Sequence, residues 1–244
     1  MGKVIMSGIV PTLKAPVTGV LASSLAVGST VKLMESGTAV EYLVVNQGIP
    51  SNSNLYDASC DGTWLLRKDC HSIRQWNTSA VNTYANSAIN TWLNGDFFNS
   101  LGIVEQTTAK QIKIPYGAGN KTSTVNSGVN GLSCKIFLLS GLEVGWATST
   151  YNELPVDGAN VSYFGEGDTT AAKNTRKAYL NGTAISWWLR SPVISKTDYV
   201  WIVRNNGGIN LFPTTNMQNS IRPALVLPGN ALFDKSTKLL MGVK

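Results

Sequence analysis

Tyr199-Val-Trp-Ile-Val-Arg204, Asn205-Asn-Gly-Gly208 and Ile209-Asn-Leu-Phe212 follow one another without a break, and their reading decides the fold. Two runs rich in β-branched and aromatic residues flank a turn made only of Asn and Gly, which reach left-handed φ values at little cost. The stretch is an antiparallel hairpin. Working outward, Ser186-Trp-Trp-Leu-Arg190 reads as a strand stopped by Ser191-Pro192. Ile221 to Leu227 is a closing strand in which Pro223, lacking an N–H, requires an edge or a bulge. Strand neighbours alternate, so Trp187 and Trp188 are expected on opposite faces, one inward and one outward. Upstream, Thr30-Val-Lys-Leu-Met34 and Ala39-Val-Glu-Tyr-Leu-Val-Val45 flank the turn Glu35-Ser-Gly-Thr38 as a second hairpin. Thr63-Trp-Leu-Leu-Arg67, Ile112-Lys-Ile-Pro115 and Lys135-Ile-Phe-Leu-Leu139 are further short strands.

Helical signals are fewer. Val81, Tyr84, Ala85, Ala88, Ile89, Trp92 and Leu93 form one apolar stripe at helical spacing, with Asn82, Asn86 and Asn90 on the opposite side. Asn94-Gly95 supplies a left-handed stop. Ser140-Gly-Leu-Glu143 fits a capping box, in which hydroxyl and carboxylate satisfy each other's amides, and predicts a second, shorter helix. Residues 117–131 and 150–177 read as loops, the first long and mobile. The sum is α+β: two helices, short twisted antiparallel sheets and long loops. Residues 1–28, punctuated by Pro and Gly, read as an N-terminal arm for attachment or oligomerisation, 29–234 as the domain and 235–244 as a C-terminal tail.

Composition removes several function classes. At 43% hydrophobic, with seven Trp and eight Tyr in 244 residues, the chain is not disordered. No apolar run is long enough to span a bilayer, and no basic leader precedes the apolar stretch Val17 to Val27, so neither membrane insertion nor a signal peptide is expected. The net charge of +6 is dispersed rather than gathered in a patch, which argues against nucleic acid. Three cysteines, Cys60, Cys70 and Cys134, are an odd set for a disulfide framework, and a Cys60–Cys70 bridge stays open. The single histidine, His71, lacks the tight Cys or His pairs of a metal site, and no nucleophile, phosphate or dinucleotide motif is present. Glu166/Asp168 and Asp57/Asp61 read as turn caps rather than acid–base pairs. Arg190 and Arg222 read as loop-tethering ion pairs rather than substrate clamps. No enzyme, metal or cofactor is therefore expected. Residues 193–220 mix aromatic, aliphatic, amide and charged groups on a hairpin and loop, the composition of a paratope.

Five segments in order carry a resemblance: Gly62-Thr-Trp-Leu-Leu-Arg-Lys68, Tyr84-Ala-Asn-Ser87 with Trp92-Leu-Asn94, Lys135-Ile-Phe-Leu-Leu-Ser140 with Glu143-Val-Gly-Trp146, Trp187-Trp-Leu-Arg-Ser-Pro192, and Ile221-Arg-Pro-Ala-Leu-Val-Leu227. Together, over roughly residues 29–234, they resemble an uncharacterised family of C-type-lectin-like proteins from phages and prophages of gut anaerobes. The resemblance implies a lectin-like fold whose last strands present a surface between the Trp-Trp-Leu-Arg-Ser-Pro and Arg-Pro-Ala-Leu segments. In some relatives that region looks like the target of a diversity-generating retroelement, which mutates template adenines. Lys196, Trp201, Met217 and Gln218 would then be fixed, and Ile202, Arg204, Asn206, Leu211, Phe212, Thr214 and Thr215 open to diversification.

The function implied is a receptor-binding adhesion module on a phage tail or capsid, made in the bacterial cytoplasm. Its ligand would be a host cell-surface protein or glycan, held by Tyr199, Ile202, Arg204, Asn206, Leu211, Phe212, Thr214, Thr215 and Asn216. The arm would attach to other virion proteins or to sister subunits, a trimer being the homo-oligomer that suits a fibre tip. The alternative is a structural virion component, a decoration, baseplate or tail-fibre protein that binds no receptor. The chain lacks the Glu-Pro-Asn or Gln-Pro-Asp and Trp-Asn-Asp triplets of calcium-dependent sugar-binding lectins. It also lacks the late Cys pair of formylglycine-generating oxidases.

Overall fold

A computed structural model describes residues 19–51 and 53–244. Its centre is a five-stranded antiparallel sheet in the order Thr30–Glu35, Thr38–Gln47, Thr63–Arg67, Ala224–Leu227, Ile136–Phe137. The first two strands are the hairpin expected around Ser36 and Gly37, whose φ values of 46° and 78° are those of the tight turn that suits right-twisted strands. Ala224–Leu227 sits inside the sheet, paired on both edges, and Pro223 is accommodated because the strand starts one residue later. Every residue of Ala224–Leu227 is buried, as a strand covered on both faces requires.

A second sheet carries the deciding hairpin: Trp187–Pro192 pairs with Tyr199–Val203, which pairs with Ile209–Pro213. The turn falls where the Asn and Gly residues predict it. Two expectations about the first strand need correction. It runs through Ser191-Pro192, with an irregularity in register between Trp188 and Pro192. Both tryptophans are fully buried. Alternation holds, but each face has a cover: the Trp187 indole N–H donates to the carbonyl of Arg176, and that of Trp188 to the carbonyl of Arg74.

The helical expectations are redistributed. The stripe from 81 is not one helix. Ser87 is extended (ψ 151°) and caps a helix that starts at Ala88, its hydroxyl accepting from the Asn90 N–H. Asn82, expected in solvent, is fully buried because its amide donates to the carbonyls of Val193, Lys196 and Tyr199. Gly95 does not stop the helix, which passes through a π segment (Leu93–Phe97) into Phe98–Ser100. The capping box at Ser140 and Glu143 forms with both reciprocal bonds, at 2.9 and 3.1 Å, but encloses a turn rather than a helix. The chain leaves that turn at Gly145 (φ 87°). Two further helices, Ile103–Thr108 and Thr170–Arg176, lie where none was expected. The expected loop 117–131 is pinned by a short pairing between Tyr116–Gly117 and Val125–Asn126.

A third sheet brings Gly19–Leu21 onto the last strands: it pairs with Ala231–Asp234, which pairs with Leu240–Val243. Residues 19–28 and the tail 235–244 are thus part of the packed body rather than appendages. The rest of the expected arm, 1–18, lies outside the described residues.

Candidate ligand-binding face

The face is built on a buried arginine and tryptophan frame. Arg190, at the end of the Trp-Trp-Leu-Arg run, is fully buried and uses all five of its N–H donors. Two go to Glu143 at 2.6 and 2.7 Å, and the others to the carbonyls of Pro115, Leu138 and Asp157. Glu143 is equally saturated, accepting also from the Tyr56 hydroxyl and the Ser140 N–H. Burial alone would favour loss of the arginine proton, but Glu143 more than offsets it, so the guanidinium pKa lies above its ordinary value. Beside this pair, Asp157 accepts from the Ser191 hydroxyl, while its second oxygen has no partner among the described residues. Burial pushes its pKa up to about 7. Arg222 tethers a second place, donating to the carbonyls of Arg67 and Lys68 and lying 5.1 Å from the Trp187 ring centroid. Arg190 tethers through the expected ion pair; Arg222 tethers through carbonyls alone and has no ion pair among the described residues.

The frame fixes the base of the 193–220 segment. The Trp188 N–H donates to Ser220, and the Ser220 N–H to Ser186, clipping the end of the segment to the start of its first strand. Thr214 is fully buried: its hydroxyl donates to Ser79, and its carbonyl accepts from Trp76 and Asn77. Ile202 is also buried, opposite Trp188. These two are core residues, and burial removes them from the contact set proposed from sequence. Trp201, read as fixed, is buried with its indole N–H on Glu153 and its ring 5.9 Å from Tyr151.

The tips are different. Arg204, Asn206 and Thr215 are exposed, and Tyr199, Leu211, Phe212 and Asn216 are half-buried. Tyr199 lies under the Lys196 ammonium at 5.2 Å. Asn206 and Asn216 each use a side-chain oxygen to hold their own turn, accepting from Gly208 and Gln218. Gly207 (φ 83°) rests on the carbonyl of Lys173, docking the turn on the helix Thr170–Arg176. A Cβ at that position would collide with backbone. Hollows flank the tips at either end. One, of about 140 Å³, lies between Arg204, Asn206, Tyr151 and the Asp168–Lys173 ion pair (2.8 Å). Burial, and then Asp168, raises the Tyr151 phenol there above its ordinary pKa. The other, of about 300 Å³, lies beside Met217, Ile73 and Trp92, with the Arg74 guanidinium 4.3 Å over the Trp92 ring.

Sequence reasoning left Asn205, Asn210, Met217 and Gln218 out of the contact set, yet all are exposed on this face. Asn210 was findable: it faces outward by alternation between Ile209 and Leu211. The cysteines are all free and buried, which closes the question of a Cys60–Cys70 bridge. His71 packs edge-on against Trp92 and Phe97, and burial lowers its pKa. Among the described residues no group of three His, Cys, Asp or Glu side chains is placed to hold a metal ion. No helix of the described residues is long and apolar enough to cross a membrane.

The molecule is a mixed α and β protein of small antiparallel sheets and few helices, carrying exposed turns on a buried polar frame. Over residues 61–229 it matches the family described as a domain of unknown function (DUF6273), and the chain belongs to that family. No curated protein and no solved structure matches it.

Proposed function

We propose that this protein is a binding module without turnover, a virion-borne adhesin of C-type-lectin-like fold whose contact surface is formed by the tips of residues 196–220. One observation carries the reading. The side chains of Arg204, Asn205, Asn210, Thr215, Met217 and Gln218 form no hydrogen bond among the described residues, while the backbone beneath them is held by the buried Asn82 amide, which donates to Val193, Lys196 and Tyr199, and by the backbone bonds at Thr214 and Ser220. A surface whose residues contribute nothing to the fold is free to vary, and rigid support keeps the entropy cost of binding low. Aromatic and Arg side chains then supply the energy, with Arg204, Tyr199, Leu211 and Phe212 as anchors. The virion location, the host cell-surface protein or glycan as ligand, oligomerisation and retroelement diversification rest on the motif resemblance.

Adsorption of fluorescently labelled protein to a panel of gut anaerobic bacteria tests the reading. Saturable binding that is lost in an Arg204→Ala/Phe212→Ala variant of unchanged thermal stability supports it. Binding that survives in the variant, or a well-folded wild type that binds no strain, overturns it.

A further inference from the structure

Six tryptophans are buried among the described residues, and five of their indole N–H groups have a backbone carbonyl: Trp64 on Cys60, Trp76 on Leu189, Trp187 on Arg176, Trp188 on Arg74 and Trp201 on Glu153. The sixth, Trp146, is only 3% exposed, and its N–H has no partner. A buried donor left without a partner is costly to a fold. The fold meets that need five times and leaves it unmet once, at the wall of a hollow of about 450 Å³ between residues 142–148 and 160–167.

The facing wall carries the complementary deficit. Asn160 donates its amide N–H to the carbonyl of Phe164 at 3.2 Å, which fixes the flip and leaves its oxygen as an acceptor without a partner. The walls are preformed. The Gly167 N–H donates to Gly145 at 2.9 Å. Arg176, fully buried behind them, donates to the carbonyls of Val144, Gly165 and Gly167 at 2.6–2.7 Å, with its guanidinium 4.7 Å from the Trp146 ring centroid. Glu166 adds a carboxylate at the rim, and Leu142 an apolar patch.

An occupant must accept a hydrogen bond from the indole and donate one to the Asn160 oxygen. A cation leaves two unpartnered donors, the indole N–H and the Arg176 Nη1 behind it, facing positive charge, and an anion meets Glu166 at the rim. Hydroxyl groups do both jobs, and a ring bearing adjacent hydroxyls presents them a few ångströms apart, with C–H faces for Leu142 and Trp146. We propose that this hollow binds a neutral hydroxylic ring, a single sugar residue, through Trp146, Asn160 and Glu166 and without calcium. The site is separate from the Arg204 face and does not rest on the adhesin reading.

The test uses ¹⁵N-labelled full-length protein, in which each indole N–H gives its own resonance and Trp146→Phe identifies the one concerned. Titrants are the methyl α-glycosides of glucose, mannose and galactose, N-acetylglucosamine, and N-methylacetamide as an amide control. The proposal expects saturable movement of the Trp146 indole resonance with at least one sugar and stationary resonances for the other tryptophans. It also expects loss of saturation in Asn160→Leu and several-fold weaker binding in Glu166→Gln, a rim substitution that leaves the fold intact. A Trp146 resonance unmoved by all four sugars overturns it. So does movement with N-methylacetamide alone, or a linear drift that persists in Asn160→Leu. Arg204→Ala/Phe212→Ala should titrate like the wild type, which separates this site from the adhesion face.

Discussion

Glu143→Gln removes one charge from the centre of the frame while keeping the side-chain volume and the contact with Tyr56. In the native protein the Arg190–Glu143 pair is fully buried, at 2.6 Å, with every donor and acceptor used. The substitution leaves a guanidinium in the interior without its counter-charge, and stranding one partner of a buried pair costs about 3–5 kcal/mol. For a chain of this length that is a fall in Tm of roughly 6–20 °C. Glu41→Gln is the internal comparison. The Lys68–Glu41 contact is almost as short, 2.7 Å, but its partners are 46% and 43% exposed, and water already solvates both charges. Its loss should cost less than about 1 kcal/mol. Thermal and urea unfolding, followed by tryptophan fluorescence and circular dichroism, measures both. Equal losses for the two variants, or a Glu143→Gln protein as stable as the wild type, would refute the reasoning that burial rather than distance sets the strength of this pair.

Other outcomes follow from the same geometry. Asp157 has a folded-state pKa of about 7 against an ordinary value of 3.8, so the native state holds the proton more tightly than the unfolded chain. Stability should therefore fall as pH rises from about 4 to about 7, by up to about 1.4 kcal/mol per pH unit, and level off above. Urea unfolding of Asp157→Asn should show that slope removed; an undiminished slope would acquit Asp157. The three cysteines are buried and free, and burial pushes the Cys60 thiol up to about 12, so it carries almost no thiolate at neutral pH. A thiol reagent should react slowly with native protein and release three equivalents in denaturant; rapid native labelling would contradict the burial. Gly207→Ala should destabilise by more than about 1 kcal/mol, through a positive φ and the Lys173 carbonyl against which the new methyl would press. Asn205→Ala, two turn positions away and exposed, should change stability by less than about 0.5 kcal/mol, and equal effects would undo the docking of turn on helix.

The two hairpins were legible because alternation and Asn-Gly or Ser-Gly turns are local signals, decided within a few residues. The tethering roles of Arg190 and Arg222 were legible for a similar reason: each lies in an apolar run, Arg190 within Trp187–Pro192 and Arg222 just ahead of Ala224–Leu227, where a long cation has carbonyls within reach. The helices were not. The stripe from Val81 has helical spacing, but Asn82 finds three carbonyls in the second sheet, and those long-range bonds outweigh the local periodicity. Thr170–Arg176 has no apolar stripe to announce it and buries only Ala172 and Arg176. Its signal was the Thr169 cap, whose hydroxyl accepts from the Ala172 N–H, and the basic residues in its last turn. The Ser140–Glu143 motif shows the limit of a local rule. Its two reciprocal bonds form as written, yet Glu143 is committed to Arg190, forty-seven residues away, and no helix follows. On the contact face, Arg204, Asn206 and Thr215 are exposed, as a contact role requires. Ile202 and Thr214 are buried, because what covers them, Trp188 in the neighbouring strand and residues 76–79, is not visible in their own local pattern.

The central claim is that the frame folds independently of the tips and that the tips do the binding. The most direct measurement replaces Arg204, Asn205, Asn210, Thr215, Met217 and Gln218 together by Ala or Ser, then records thermal unfolding and cell adsorption on one preparation. The account predicts a change in Tm of no more than about 4 °C, within the range of exposed substitutions, together with complete loss of adsorption. Collapse of the fold, or adsorption undiminished in a stable variant, would contradict it.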